Sequence, residues 1–312
     1  MYLLTIKIGD LADVCLWWKH GANFGIFDKH LKLFRQDGVF EIKRRPFLAL
    51  NKGSVFVLKG PRQCGKTTYV KQLVERQLSD LKFHPDCIVY FSCDFLTSRE
   101  LREKITWFFD SRPSLQLLFL FLDEINEVRG WDVELKWLAD NGLLDRCCVV
   151  ATGSRPAEIK RAAEKSPGRG QVFCNFKPLN FRDYVLNLSR HFRHERLFPV
   201  NFEQRLRNSK ISLESSLGEI EKNVNALLPF SKELRELFGY YLLTGGFPKP
   251  ITIFFKNFKE TDLPNEIPSN LYQDFILSVL GDLNGLGLRD ETVRQLLEKI
   301  LSNYASKYDF NG

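Results

Sequence analysis

A phosphate-loop pattern, G-x-x-x-x-G-K-[ST], is the clearest chemical motif of the chain and consists of Gly60-Pro61-Arg62-Gln63-Cys64-Gly65-Lys66-Thr67. Its glycines let the backbone curl so that successive N–H groups point at phosphate oxygens. In this pattern the lysine, here Lys66, reaches the β- and γ-phosphates of a nucleoside triphosphate, and the Thr67 hydroxyl binds Mg²⁺. We therefore predict that the loop and the next residue, Thr68, bind ATP, and that Lys66 stabilises negative charge during phosphoryl transfer.

An acidic pair, Asp123-Glu124, follows the most apolar run of the chain, residues 117–122. Such a run predicts a central strand, and an acid at its carboxyl tip lies beside the ligand crevice of an open α/β sheet. Asp123 is predicted to hold Mg²⁺ through its water shell, and Glu124 to orient and polarise the water that attacks the γ-phosphate. The alternative is an exposed acidic turn after a strand.

Three further residues are candidates for contact with the γ-phosphate. Thr152 and Ser154 end the fourth apolar run of the chain. Either could touch the γ-phosphate or the attacking water, and either could instead cap a helix that begins at Pro156. Arg169 follows a Ser-Pro turn, and an arginine there could stabilise the transferring phosphoryl group in its own molecule or in a neighbour. Solvated surface is the alternative for Arg169.

Alternating strand and helix patterns must position these residues. Short apolar runs predict five strands, at residues 55–58, 87–91, 117–122, 147–151 and 171–175. Helical spacing of apolar residues predicts helices at 68–78, 98–110 and 131–139. Strands that are apolar on both faces and alternate with helices are typical of a parallel sheet covered on both sides. We therefore predict an α/β fold of the P-loop NTPase type, with a five-stranded parallel sheet flanked by helices.

The chain divides into three predicted segments. Residues 1–42 contain Trp17 and Trp18, which favour packing on the core because a tryptophan buries a large area. Residues 43–188 carry the strands and motifs and form the predicted ATPase domain. Residues 189–312 lack strand-like runs and show helical spacing, which predicts a helical lid domain. Because the chain stops soon after a predicted helix, we expect that a further C-terminal region is truncated.

Composition limits the class of protein. The chain has 312 residues, of which 44% are hydrophobic and 27% charged, as in soluble globular proteins. Its seven cysteines form no C-x-x-C pair, which argues against a zinc site or a disulfide framework. Cys64 lies in the phosphate loop, and we expect its thiol to be the accessible one. With no signal peptide and no uncharged run of membrane-spanning length, we predict a cytoplasmic protein without a membrane partner.

The net charge of +7 and the isoelectric point near 9.0 permit an anionic partner. Residues 190–209 are rich in arginine and histidine and are a candidate for contact with nucleic acid. The alternative is a solvated basic surface, which is the more common role of such a run.

Together these residues resemble ATP-binding proteins of the AAA+ superfamily from archaea and bacteria whose C-terminal domain is uncharacterised. The resemblance runs from about residue 44 to 282 and is carried by Gly60-Pro61-Arg62-Gln63, Phe121-Leu122-Asp123-Glu124-Ile125, Gly130-Trp131, Leu135-Lys136, Thr152-Gly153-Ser154, Gly168-Arg169, Pro178-Leu179-x-Phe181-x-x-Tyr184 and Gly245-Gly246-Phe247-Pro248. It implies an ATPase core with a parallel sheet, a helical lid and usually a winged-helix region beyond. The Gly-Arg match implies a position near the nucleotide for Arg169.

These observations predict Mg²⁺-dependent binding and hydrolysis of ATP that drives a conformational switch. The predicted ligands are ATP or ADP with Mg²⁺, and the expected macromolecular partners are another protein or further copies of this chain. The alternative function is a nucleotide-gated DNA-binding regulator with little turnover.

Overall fold

The computed structural model describes residues 11, 13–36, 48–154, 171–191, 198–199, 201–256, 265–284, 287 and 289–304. The chain divides into two compact units, Met1–Ile267 and Pro268–Gly312. The first unit contains the sheet and the candidate site, and the described residues of the second form two helices.

A five-stranded parallel sheet forms the centre of the first unit. Its strands are β1 (Val55–Lys59), β2 (Ile88–Ser92), β3 (Leu118–Asp123), β4 (Cys147–Gly153) and β5 (Gln171–Asn175), in the order β2-β3-β4-β1-β5. Every neighbouring pair of strands is parallel. The predicted five-stranded parallel α/β fold is therefore confirmed.

Burial explains the composition of the central strands. Every residue of β3 and of β4 is buried, so apolar side chains are favoured on both faces of these strands. The register pairs Leu122 of β3 with Ala151 of β4, and Leu58 of β1 with Thr152 of β4. The carboxyl ends of β3, β4 and β1 consequently lie at the same edge of the sheet, and the sequence motifs are at this edge.

In the described part of the chain, the helices that accompany the sheet include α1 (Trp17–His20), α2 (Lys29–Gln36), α3 (Lys66–Ser79), α4 (Ser98–Asp110) and α5 (Trp131–Asp140). Helix α4 begins with a capping box, in which Thr97 and Glu100 each satisfy a backbone N–H of the other. The predicted helices at 68–78, 98–110 and 131–139 match these bounds to within two residues.

Helices follow the sheet. In the first unit they are α6 (Phe181–His191), α7 (Phe202–Asn208), α8 (Leu217–Leu227), α9 (Ser231–Thr244) and α10 (Pro248–Phe255). They share a second apolar core that includes Tyr184, Phe202, Leu237 and Phe255. The second unit contains α11 (Ser269–Asn284) and α12 (Asp290–Tyr304), which contact each other. Among the described residues beyond β5 there is no strand, in agreement with the predicted helical region.

The described part of the N-terminal segment packs against β2 and α3. The indole N–H groups of Trp17 and Trp18 both donate to the carbonyl oxygen of Ile88 at 3.0 Å. The backbone N–H of Tyr90 donates to the Cys15 sulfur at 3.4 Å. These hydrogen bonds join the segment to the strand that neighbours β3.

All seven cysteines are free thiols, and six of them are buried. Cys64 is fully buried in the phosphate loop, so the expectation that its thiol is accessible is wrong. No described helix combines the length and the apolar character that a membrane crossing requires.

Candidate active site

The phosphate loop joins the end of β1 to the start of α3. A β-carbon on Gly60 would lie 1.9 Å from the carbonyl oxygen of Phe176, so only glycine fits this close approach. Gly65 has a φ of 92°, in the left-handed region, and precedes the first residue of α3. Gln63 also has a positive φ, of 59°. A tight loop of this kind, ending at a helix N-terminus, is suited to bind an anion.

The Lys66 ammonium lies inside the curve of the loop. It donates to the carbonyl oxygens of Gly60 at 3.1 Å and of Pro61 at 3.0 Å. Its Nζ atom is also 3.7 Å from Oε1 of Glu124. The side chain is only 3% exposed, so its charge acts in a site with little solvent.

The Asp123 carboxylate accepts hydrogen bonds on both oxygens. Its Oδ2 accepts from the Thr67 hydroxyl at 2.7 Å and from the Tyr90 hydroxyl at 2.6 Å. Its Oδ1 accepts from the Thr152 hydroxyl. Three elements, α3, β2 and β4, therefore fix the orientation of one buried carboxylate at the tip of β3.

Glu124 has a strained backbone beside this carboxylate. Its φ of 52° and ψ of 46° are left-handed values, which are unusual for a residue other than glycine, and such outliers cluster at functional sites. Its backbone N–H donates to the Thr152 hydroxyl at 3.0 Å, and its Oε2 accepts from the Ser154 N–H at 3.1 Å. The side chain is 23% exposed, so it can reach solvent while its backbone is fixed.

The structure separates the two candidates at the end of β4. The Thr152 hydroxyl is fully used, since it donates to Asp123 and accepts from Glu124. The Ser154 hydroxyl is buried and has no hydrogen-bond partner among the described residues. A buried polar atom without a partner is rare and calls for an explanation, and the oxygen of a bound phosphate would supply one.

The remaining loop residues lie around this centre. Arg62 is half-exposed, and its guanidinium is 3.7 Å from Oε1 of Glu127. The Cys64 thiol donates to the Phe176 carbonyl at 3.6 Å, and Thr68 lies in the first turn of α3. Arg169 lies outside the described residues, so the structure does not place it.

A cavity of about 620 Å³ opens beside the site. It is lined on one side by Thr67, Asp123 and Glu124, and on the other by residues of the N-terminal segment that include Asp28 and His30. The cavity is large enough for a ligand or for several waters next to the acidic pair.

Tyr90 and Lys71 complete the site, although neither belongs to a motif of the sequence. Burial, together with the neighbouring Asp123 carboxylate, raises the pKa of Tyr90, so its phenol stays protonated and donates. Burial lowers the pKa of Lys71, an effect opposed by the carboxylate of Asp28. A phenol within an apolar strand and a lysine on the apolar face of a helix were the only signals in the sequence.

The Gly-Gly-Phe-Pro turn brings the helical region of the first unit to the phosphate loop. Gly245 ends α9 in a left-handed conformation, and Pro248 begins α10. A β-carbon on Gly65 would lie 3.5 Å from Cγ of Pro248. The turn that the resemblance includes is thus adjacent to the loop.

The basic stretch at 190–209 lies partly outside the described residues. Within its described part, Arg207 forms an ion pair with Glu203 at 2.5 Å, within one helix. Its charge is therefore partly neutralised inside the chain, and the described part of this stretch gives no support to a contact with nucleic acid.

Comparison with known proteins gives one family match. A family model described as an AAA domain matches residues 52–185. Among solved structures, the chain is similar to C. elegans PCH-2, with 13% identity and a TM-score of 0.33 over 91% of this chain and 70% of that chain. It is also similar to a structure described as the structural basis for katanin self-assembly, with 16% identity and a TM-score of 0.28 over 58% of this chain and 71% of that chain. No curated protein matches the chain.

Proposed function

We propose that the chain binds ATP with Mg²⁺ and hydrolyses it, on the premise that residues 52–185, which match the family model described as an AAA domain, form an ATPase domain. The observation that carries the proposal is the meeting of Lys66, Thr67, Asp123 and Glu124 at the ends of β1 and β3. A cation, a hydroxyl and two carboxylates at the mouth of a phosphate loop are the groups that phosphoryl transfer to water requires.

The donor set of the site fits Mg²⁺. The Thr67 hydroxyl and the Asp123 carboxylate are hard oxygen donors 2.7 Å apart, and Mg²⁺ is usually held by one or two such protein groups together with substrate phosphates. When bound, the ion neutralises charge on the phosphates. Thr152 and Tyr90 would keep the Asp123 carboxylate in position for it.

The protein's own residues supply the rest of the mechanism. The Lys66 ammonium would exchange its contacts with the Gly60 and Pro61 carbonyls for the β- and γ-phosphate oxygens, which carry more negative charge. The Glu124 carboxylate, fixed by the Ser154 N–H, would accept a hydrogen bond from the attacking water and orient it. Catalysis would depend on position and electrostatics more than on covalent chemistry.

Two measurements on the wild-type chain test this function. Titration calorimetry should give heat on addition of ATP with Mg²⁺, and the heat should decrease strongly in EDTA. Phosphate release should depend on Mg²⁺ in the same way. Absence of heat with Mg²⁺ and ATP would refute the proposal.

We further propose that the nucleotide biases the conformation of helices α6–α10. The position of Pro248 beside the phosphate loop favours this coupling, because a ligand shifts a conformational equilibrium only through different contacts in the two states. Steady-state turnover far below about one per minute, with tight retention of nucleotide, would favour a switch that acts by its conformation. Rapid turnover would favour a motor or remodelling ATPase.

A further inference from the structure

A chain of contacts runs from the acidic pair into the helix of the phosphate loop. The Tyr90 hydroxyl donates to Oδ2 of Asp123 at 2.6 Å. The Lys71 ammonium lies 3.7 Å from the centroid of the Tyr90 ring, a cation–π distance. Lys71 follows Thr67 by four residues, so both side chains lie on one face of α3. Because Thr67 also donates to Asp123, the contacts close a ring through α3, β3 and β2.

The same lysine joins this ring to the N-terminal segment. Its Nζ lies 3.7 Å from Oδ2 of Asp28 and donates to the Val14 carbonyl at 3.3 Å. Oδ1 of Asp28 in turn accepts from the backbone N–H groups of His30 and Leu31, at the start of α2. The segment is therefore connected to Asp123 through two side chains, Lys71 and Tyr90.

Burial makes this connection stiff. The Lys71 and Asp28 side chains are only 4% and 5% exposed. Removing one partner of a buried ion pair leaves an uncompensated buried charge, which is strongly destabilising, so neither group can leave the other freely. A displacement of Asp123 would consequently be transmitted through Tyr90 and Lys71 to Asp28.

The N-terminal segment also shares the cavity beside the acidic pair. Asp28, Lys29 and His30 line the cavity that Thr67 and Glu124 line from the other side. The segment thus meets the site both through the contact chain and as a wall of the same space.

We propose that Tyr90 is a positioning residue for the Mg²⁺ ligand Asp123, and that the Lys71–Asp28 pair couples this position to residues 13–36 of the N-terminal segment. The inference rests on the proposed function, because it requires Asp123 to hold Mg²⁺. Partners that orient a metal ligand typically change metal affinity 10–100-fold when they are replaced.

The first test replaces Tyr90 by phenylalanine, which keeps the ring over Lys71 and removes only the hydroxyl. The Mg²⁺ concentration for half-maximal ATP binding, measured by calorimetry, should rise about 10-fold, while ADP binding in EDTA stays unchanged. Tyr240→Phe is the matched control, because its hydroxyl donates to Oε1 of Glu236 at the same distance of 2.6 Å and Tyr240 is not among the site residues. The control should bind Mg²⁺ and ATP as the wild type does.

The second test measures hydrogen exchange of residues 13–36. In the wild type, exchange should slow on addition of ADP with Mg²⁺, and this slowing should fall by at least about half in Tyr90→Phe and in Asp28→Asn. Asp28→Asn keeps an oxygen that can cap α2 and lacks the charge that faces Lys71.

The outcomes separate this inference from the proposed function. A wild type that does not bind ATP with Mg²⁺ overturns the function and this inference with it. A wild type that binds, with an unchanged Mg²⁺ requirement in Tyr90→Phe, overturns the positioning role alone. Binding by the wild type without any change in exchange of residues 13–36 overturns the coupling.

Discussion

The Nζ atom of Lys66 lies 3.7 Å from Oε1 of Glu124, which joins the phosphate loop to the end of β3 by an ion pair. The lysine is almost fully buried, and the glutamate is partly exposed. The pair therefore balances the charge of a buried ammonium, while the carboxylate stays partly open to solvent. Each of the two residues has a separate role in the proposed function, and the roles can be tested one at a time.

Lys66→Ala should abolish nucleotide binding. Its ammonium would contact two phosphates, and hydrogen bonds to charged groups contribute about 1.5–3 kcal/mol each, so affinity should fall by about 100-fold or more. Calorimetry with ATP and Mg²⁺ measures the loss. Lys136→Ala, at an exposed position of α5, is the control and should bind normally. An affinity of Lys66→Ala within about threefold of the wild type would contradict the assignment.

Glu124→Gln should bind ATP and lose turnover. The amide oxygen can still accept from the Ser154 N–H, but the side chain no longer takes a proton, and positioned bases contribute about 10²–10⁴-fold to rate. Phosphate release under saturating ATP and Mg²⁺ is the measurement. Glu103→Gln on α4, whose carboxylate pairs with Arg99 at the surface, should keep the full rate. Hydrolysis by Glu124→Gln at the wild-type rate would show that the catalytic assignment is wrong.

Ser154→Ala and Thr152→Val should have different effects on the free energy of unfolding. Thr152→Val removes the acceptor of the Glu124 N–H and a donor to Asp123, so it should lower the free energy of unfolding by about 1–3 kcal/mol. Ser154→Ala removes a buried hydroxyl that has no partner among the described residues, so the stability of the nucleotide-free protein should stay unchanged.

Urea unfolding without nucleotide measures both values. If Ser154 contacts the γ-phosphate, Ser154→Ala should also weaken binding of ATP about tenfold while ADP binding is retained. Equal losses for the two nucleotides would remove Ser154 from that role.

Alkaline pH should destabilise the protein through its buried thiols. Burial raises the pKa of Cys15 and of Cys148 from 9.0 to about 12. Above pH 9 the unfolded chain therefore loses thiol protons that the folded chain retains, and stability falls as pH rises towards 12. Each such thiol contributes about 1.4 kcal/mol per pH unit in this window.

Urea unfolding at several pH values between 8 and 11, with a reducing agent, measures that slope. Cys148→Ala should reduce the slope by the share of one thiol, about 1.4 kcal/mol per pH unit. Loss of the sulfur atom also changes the free energy of unfolding, by an amount that is the same at every pH. A slope equal to that of the wild type would contradict the prediction.

Local patterns in the sequence are sufficient to predict the sheet, the phosphate loop and the acidic pair. Each depends on residues that are close in the chain, such as the apolar run before Asp123. The strand order, and with it the neighbour relation of β2 and β3, depends on tertiary pairing. The contact between Tyr90 and Asp123 could therefore not be predicted from the sequence, because it requires β2 and β3 to be neighbours in the sheet.

The roles of other site residues could not be assigned from the sequence, because they depend on three-dimensional geometry. Thr152 and Ser154 are two residues apart at a strand end, where side chains share one face, so the sequence could not assign separate roles to them. Lys71 lies on the apolar face of its helix, but lysine is seldom buried, and its burial depends on the packing of the N-terminal segment. The prediction of an accessible Cys64 thiol was wrong. Phe176, which directly follows β5, lies against the loop, and its carbonyl oxygen accepts a hydrogen bond from this thiol.

The double connection between the sheet and helices α6–α10 limits how those helices can move. The chain leaves β5 through Leu179, and it returns to the phosphate loop through Gly246. At that crossing the Leu179 N–H donates to the Gly246 carbonyl at 2.9 Å, and a β-carbon on Gly246 would lie 2.2 Å from the Leu179 carbonyl oxygen. Because the two backbone segments are bonded to each other there, any rotation of helices α6–α10 relative to the sheet must either move Leu179 and Gly246 together or break this hydrogen bond.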